Sequence, residues 1–145
     1  MMIDARDIAA LLGGRSALKR TVRDFSDLAA AVEEGLPSDA MRALVKSGTT
    51  TATEISESVR IPERTLMRLQ KRERLPADES DKIYRLAYIV ATATKTFDSQ
   101  EKAHRWLRRP NRALGNRTPL VLIRTEPGLS QVERELGRIE YGELS

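Results

Sequence analysis

Apolar residues recur along this chain at spacings of three and four, interrupted by glycine and proline, a pattern that predicts a run of amphipathic helices. Ile3, Ile8, Leu11 and Leu12 share a face that Gly13-Gly14 ends. Arg15 to Phe25 is basic, with Leu18 and Val22 at i, i+4, and Asp27 to Glu34 forms a further short helix closed by Gly35 and Pro37. A fresh start follows at Ser38-Asp39, with Met41, Leu44 and Val45 as its stripe. Thr53 or a neighbouring threonine caps the next helix, whose Ile55 and Val59 point inward. Arg60-Ile61-Pro62 breaks it, and Leu66 and Leu69 back a helix reaching about Arg72. The longest periodic stretch runs from Asp78 to Phe97, where Ile83, Leu86, Ala87, Val90, Ala93, Thr94 and Phe97 make a face wide enough for a central helix. Ala103, Trp106 and Leu107 mark another helix before Pro110. Thr118-Pro119 reads as a cap and first-turn proline; the run Leu120 to Ile123 fits a short helix or a strand. Gly128 is expected to break the chain before a last helix carrying Leu129, Val132, Leu136 and Ile139.

The fold class expected is therefore all-α, divided into an extension at 1–37 suited to self-association, a reading module at 38–76 and a helical module at 77–145. With aromatics at 4% and apolar residues at 40%, the core must be built from Leu, Ile, Val and Ala. The absence of cysteine excludes disulfides and thiolate zinc sites. No run approaches the roughly 20 apolar residues of a membrane span, and the start lacks a signal-peptide pattern, so a cytoplasmic location is expected.

Net charge is only +4, but its distribution is uneven. Arg60, Arg64, Arg68, Lys71, Arg72 and Arg74 face two acidic residues between 60 and 74, whereas five glutamates face Arg134 and Arg138 from Glu126 onward. One part suits a polyanion and the other does not, which points to two functions. A duplex-reading helix must be apolar behind and cationic in front, and residues 53–72 have that form. The groove-facing candidates are Arg64, Thr65, Arg68, Lys71 and Arg72, with Thr53 on a phosphate. A solvated amphipathic helix or a module kept for protein contacts would show the same pattern, and the break lacks the glycine common in such turns.

From about Thr53 onward the chain resembles the Xre/MbcA/ParS antitoxin family. The resemblance is carried by "RIPERTLMRLQKRERLPADESDKIYRLAYIVATA", "FDSQEKAHRWLRRPNRALGNRTPLVLI" and "GLSQVERELGRIEYGELS", and within them by Arg64-Thr65-Leu66, Leu75-Pro76, Trp106-Leu107, Pro110-Asn111, Leu114-Gly115 and Gly142. It implies an Xre-like helix-turn-helix part followed by a toxin-binding domain. It also implies a RES-domain toxin partner that degrades NAD or transfers its ADP-ribose, and repression of the shared operon. Residues 1–37 carry no such likeness.

The residues add a physical reason for toxin binding. A dinucleotide pocket is electropositive around the pyrophosphate, and a carboxylate-rich terminus complements it. Glu133, Glu135, Glu140, Glu143 and the Ser145 carboxylate supply charge, Tyr141 an amphipathic anchor, and Gly142 a turn into the cleft. The toxin-binding set is thus Glu133, Arg138, Ile139, Glu140, Tyr141, Gly142, Glu143, Leu144 and Ser145, although a charged tail is commonly just solvated. His104 beside Trp106 reads as a surface or packing histidine, and Arg105, Arg108, Arg109, Arg112 and Arg117 as a solvated basic surface open to toxin or DNA contact. No catalytic group, metal site or cofactor is expected. The partners expected are operator DNA and the toxin, with a homodimer or a larger hetero-oligomer. The competing reading is a stand-alone dimeric regulator with no toxin.

Overall fold

The structure, a computed structural model, describes residues 3–142. Ten α-helices occur in it: α1 (Ala5–Leu11), α2 (Gly14–Leu18), α3 (Phe25–Glu34), α4 (Ser38–Lys46), α5 (Ala52–Val59), α6 (Glu63–Leu69), α7 (Ala77–Phe97), α8 (Gln100–Arg108), α9 (Pro119–Leu122) and α10 (Glu126–Gly142). A single 3-10 turn, Arg112–Leu114, precedes α9. Extended pairing among the described residues is confined to the isolated bridges Pro37–Arg74 and Asn111–Arg117. The fold is all-α. No helix of the described residues is long and apolar enough to cross a membrane.

Helix α7 is the axis on which the rest pack. Ile83, Leu86, Ala87, Ile89, Val90, Ala91 and Ala93 are buried around its circumference, because α1, α3, α5, α8 and α10 all lie against it. Burial on several sides is what its broad apolar face foretold, although Ile89, off the periodic stripe, escaped the sequence pattern. The residues before α4 join the same core through Ile8, Leu12, Leu18 and Leu28.

Several local readings give way to tertiary packing. Leu18 and Val22 do not share a helix, since Lys19 turns left-handed (φ 60°) and the next helix starts only after Asp24, which caps α3 by accepting from the Asp27 amide at 2.9 Å. Val45 is exposed rather than part of the α4 stripe. Residues 120–122 resolve as helix and Ile123 as its C-cap, with Pro119 in the first turn but no side-chain cap bond from Thr118. Gly128 does not break the chain. It lies inside α10, where an added Cβ would stand 1.8 Å from the Leu122 carbonyl oxygen, so the glycine is there to let α10 approach α9.

The end of α6 is fixed from α4. The last carbonyls of a helix have no partner within it. Ser38, buried at the start of α4, donates its hydroxyl to the carbonyls of Leu69 (3.1 Å) and Arg72, and Arg42 donates to that of Gln70. The segment after α6 is stitched to the one before α4 by Leu75 N–H to Leu36 O (2.8 Å) and Ser38 N–H to Glu73 O (3.0 Å). In sequence Ser38 reads as a start signal; its side chain instead anchors the far end of another helix.

Candidate functional site

Thr51 caps α5. Its hydroxyl accepts from the Glu54 amide at 3.1 Å while the Glu54 carboxylate accepts from the Thr51 amide at 3.0 Å, a reciprocal capping box. Thr51 is thus the neighbouring threonine that caps the helix, and Thr53, the candidate phosphate anchor, is exposed in the first turn. At the other end Arg60 adopts the left-handed conformation (φ 56°) that glycine usually takes, which explains how the turn forms without one. Ile61 is buried and Pro62 is the N-cap of α6, whose Leu66 and Leu69 are buried beneath it.

The outward face of α6 carries Arg64 and Arg68, both exposed, one turn apart, with Thr65 half-buried beside them. Lys71 and Arg72 are exposed but lie past the helix end, so they extend the cationic surface rather than the helix face. Met67, 67% exposed, sits on the same face and was missed in the sequence because methionine reads as core. An exposed apolar side chain flanked by arginines suits contact with a thymine methyl.

A second surface follows α10. Tyr88 donates its hydroxyl to Glu133 Oε2 at 2.6 Å; burial first, and then that carboxylate, push the phenol well above its ordinary pKa. Tyr84 stacks on Tyr88 with centroids 6.1 Å apart. Together with Phe25 (41% exposed), Glu140 and Tyr141 (67% exposed) they border an open groove of about 500 Å³. Three expected toxin contacts, Glu133, Glu140 and Tyr141, therefore meet in one place, joined by aromatics from α3 and α7 that are distant in sequence. Ile139 is half-buried and Gly142 ends the described part of α10 as helix; Glu143, Leu144 and Ser145 lie outside the described residues. Glu135 is buried and its carboxylate accepts from Arg138 Nε at 3.0 Å, while the Arg138 side chain itself stays 69% exposed on α10.

The basic surface of α8 also proves partly structural. Arg108 forks onto both oxygens of Glu54, with Nη2 at 2.9 Å from Oε1, and ties α8 to the α5 cap. That guanidinium, first among the causes and opposed by burial, holds the Glu54 carboxyl below its ordinary 4.5. His104 sits beside it in the packing between α7 and α8. Burial, and next Arg108, lower its pKa, and its Nε2 has no hydrogen-bond partner among the described residues. A carboxyl whose pKa is depressed by folding stabilises the fold above its unfolded value and loses that contribution as pH falls through the folded one. Arg108→Ala is expected to lower stability near neutral pH, with the gap from the parent closing below about pH 4.5. Urea unfolding across that range reads it; a gap independent of pH would mean the pair contributes nothing.

Residues 27–88 match the model of the antitoxin Xre-like helix-turn-helix domain, and residues 92–142 match that of the antitoxin Xre/MbcA/ParS C-terminal toxin-binding domain. The junction between the two matches falls inside α7, so the modules share their central helix. Three curated relatives carry the name antitoxin Xre. The one from Pseudomonas putida is 37% identical over 91 residues, covering 62% of this chain and 57% of the relative. That from Photorhabdus laumondii is 40% identical over 70 residues (48% and 47%), and that from Yersinia enterocolitica is 34% identical over 94 (63% and 64%). The matched stretch thus spans about half to just under two thirds of these relatives' length.

Proposed function

The chain belongs to the Xre/MbcA/ParS antitoxin family, and from that premise we propose that it neutralises a toxin through α10 and represses its own operon through α6. The observation that carries this reading is the pairing of two surfaces on one helical unit. One is a cationic helix face with Arg64, Arg68 and Met67 outward; the other is an aromatic groove edged by Glu133, Glu140 and Tyr141. It acts by binding rather than by catalysis, in the cytoplasm where the operator is. Two reading helices are needed for two half-sites, so it works as a dimer or within a larger complex with toxin.

The partner is a RES-domain toxin that consumes NAD or transfers its ADP-ribose. Carboxylates on the outer face of α10 complement the electropositive pocket such a toxin needs, and Tyr141 supplies a rigid aromatic anchor. Ile139 to Ser145 reach the mouth of the toxin's active site and keep its nucleotide out. Residues 1–37 contribute Phe25 and Ile3 to the groove.

Co-expression with the product of the neighbouring gene tests this. The full chain restores growth and co-purifies with that product. A chain ending at Arg138 loses about 30-fold or more in affinity, as for removal of an aromatic anchor. Full inhibition by the shortened chain would refute the tail's role. A full chain that binds its promoter but neither captures nor inhibits any co-encoded protein would be a stand-alone regulator.

A further inference from the structure

Where the turn between α5 and α6 meets the start of α10, a cleft of about 480 Å³ opens, separate from the aromatic groove. Four arginines line it: Arg60, Arg117, Arg124 and Arg134. No carboxylate and no aromatic ring lines it; Ser130 and Gln131 supply further polar groups. Among the described residues none of the four forms an ion pair, whereas Arg85 on α7, Arg108 on α8 and Arg138 on α10 all do. Glu126, next to the cleft in sequence, is turned to Arg85 at 3.3 Å.

The four are held by different elements. Arg60 is fixed in its left-handed turn, its amide donating to Ser56 O. Arg117 is pinned by a bridge in which its carbonyl accepts from the Asn111 amide at 3.1 Å. Arg124 donates its Nε to the Glu57 carbonyl at 2.6 Å, which anchors the side chain against α5. Arg134 rides on α10, next to Glu133 but facing away from the groove that Glu133 borders. Four like charges gathered without a counter-charge repel one another, and an anion placed among them removes that cost.

The chemistry selects the anion. Without an aromatic side chain there is nothing for a base or nicotinamide to stack on, so a free nucleotide is a poor occupant. Arg60 stands three residues before the first residue of α6, at most about 11 Å along the chain. With α6 in a major groove about 12 Å wide, the sugar-phosphate strand bordering that groove passes within reach of the cleft. We propose that Arg60, Arg117 and Arg134 clamp consecutive phosphates of the strand flanking the reading helix, so that the toxin-binding domain itself contributes to DNA affinity. The proposal rests on α6 being the DNA-reading helix.

The test is binding of the full chain, across a salt series, to a duplex carrying the promoter of its own gene and to a random duplex of equal length. Arg117→Gln with Arg134→Gln should weaken both by the same factor and reduce the salt slope by about 2, one unit for each phosphate no longer neutralised. Arg60→Gly should also weaken both duplexes while keeping or raising the melting temperature, because glycine relieves the left-handed backbone. Weaker binding at undiminished stability cannot come from misfolding. An unchanged slope and affinity in variants of a parent that binds the promoter would overturn the clamp and leave the reading helix intact. A parent that ignores both duplexes would overturn both. Unchanged DNA binding with weakened capture of the co-encoded protein would make the cleft a protein-docking surface and refute the clamp.

Discussion

Replacing Gly128 by alanine destabilises the protein by about 2–3 kcal/mol, whereas the same change at Gly137, further along the same helix, stabilises it by up to about 1 kcal/mol. Both glycines are helical, so both changes gain the better helix propensity of alanine. The difference is what the new methyl meets. At Gly137 nothing lies within 4 Å of it; at Gly128 it would fall 1.8 Å from the Leu122 carbonyl oxygen and 2.8 Å from the Leu122 carbonyl carbon. Those are backbone atoms, which cannot rotate away as a flexible side chain would. The start of α10 must back off from α9 by roughly an ångström or more, and Leu129, Val132 and Leu122 lose packing with it. Thermal or urea unfolding of the two variants gives the comparison. Equal stability would show that the α9–α10 approach is not a constraint on the fold.

Arg64→Ala combined with Arg68→Ala is expected to cost about 2–6 kcal/mol of promoter binding, taking each arginine–base pairing at about 1–3 kcal/mol, while leaving toxin capture and the melting temperature unchanged. The separation of effects follows from position. Both side chains are exposed on the outer face of α6 and form no ion pair among the described residues, so folding does not draw on them. The hydrophobic anchors Leu66 and Leu69, and the carbonyl bonds from Ser38 and Arg42, keep the helix seated after the arginines are gone. The variant should also lose discrimination between the promoter and a random duplex, which removal of phosphate-binding groups alone would preserve. Promoter affinity equal to the parent's would remove α6 from the reading role.

The two cationic features ask different things of the DNA. Arg64 and Arg68 belong to a helix face that can enter a groove, so their loss is expected to change which sequence is preferred. Arg60, Arg117 and Arg134 stand beside that helix in a cleft without base-stacking groups, so their loss is expected to change affinity and salt dependence but not preference. The aromatic groove on α10 lies between other elements and carries Glu133 and Glu140, with Lys95, at its edge, which suits it less to a phosphate backbone than the arginine-lined cleft. Charge thus distinguishes the two candidate surfaces, one proposed for nucleic acid and one for a protein partner.

Most of the succession of helices and of their inward faces, and the exposure of Arg64 and Arg68, were written in the chain itself. An i, i+3, i+4 repeat records which side of a helix leaves water, and it does so locally, wherever that side ends up. The likeness from Thr53 onward added the order of the two modules. Other features depend on residues far apart in sequence and have no local signature. Phe25, Tyr84 and Tyr141 meet in one groove, Arg108 reaches back to the cap of α5, Ser38 satisfies the carbonyls ending α6, and four arginines from separate elements share one cleft. Gly128 shows the same limit in a single residue: glycine inside a periodic stretch reads as a break, and only the Leu122 carbonyl pressed against it reveals a close helix approach. Periodicity fixes the side of each helix that is buried; the packing of helices around α7 decides which partner it is buried against, and that choice made both candidate binding surfaces.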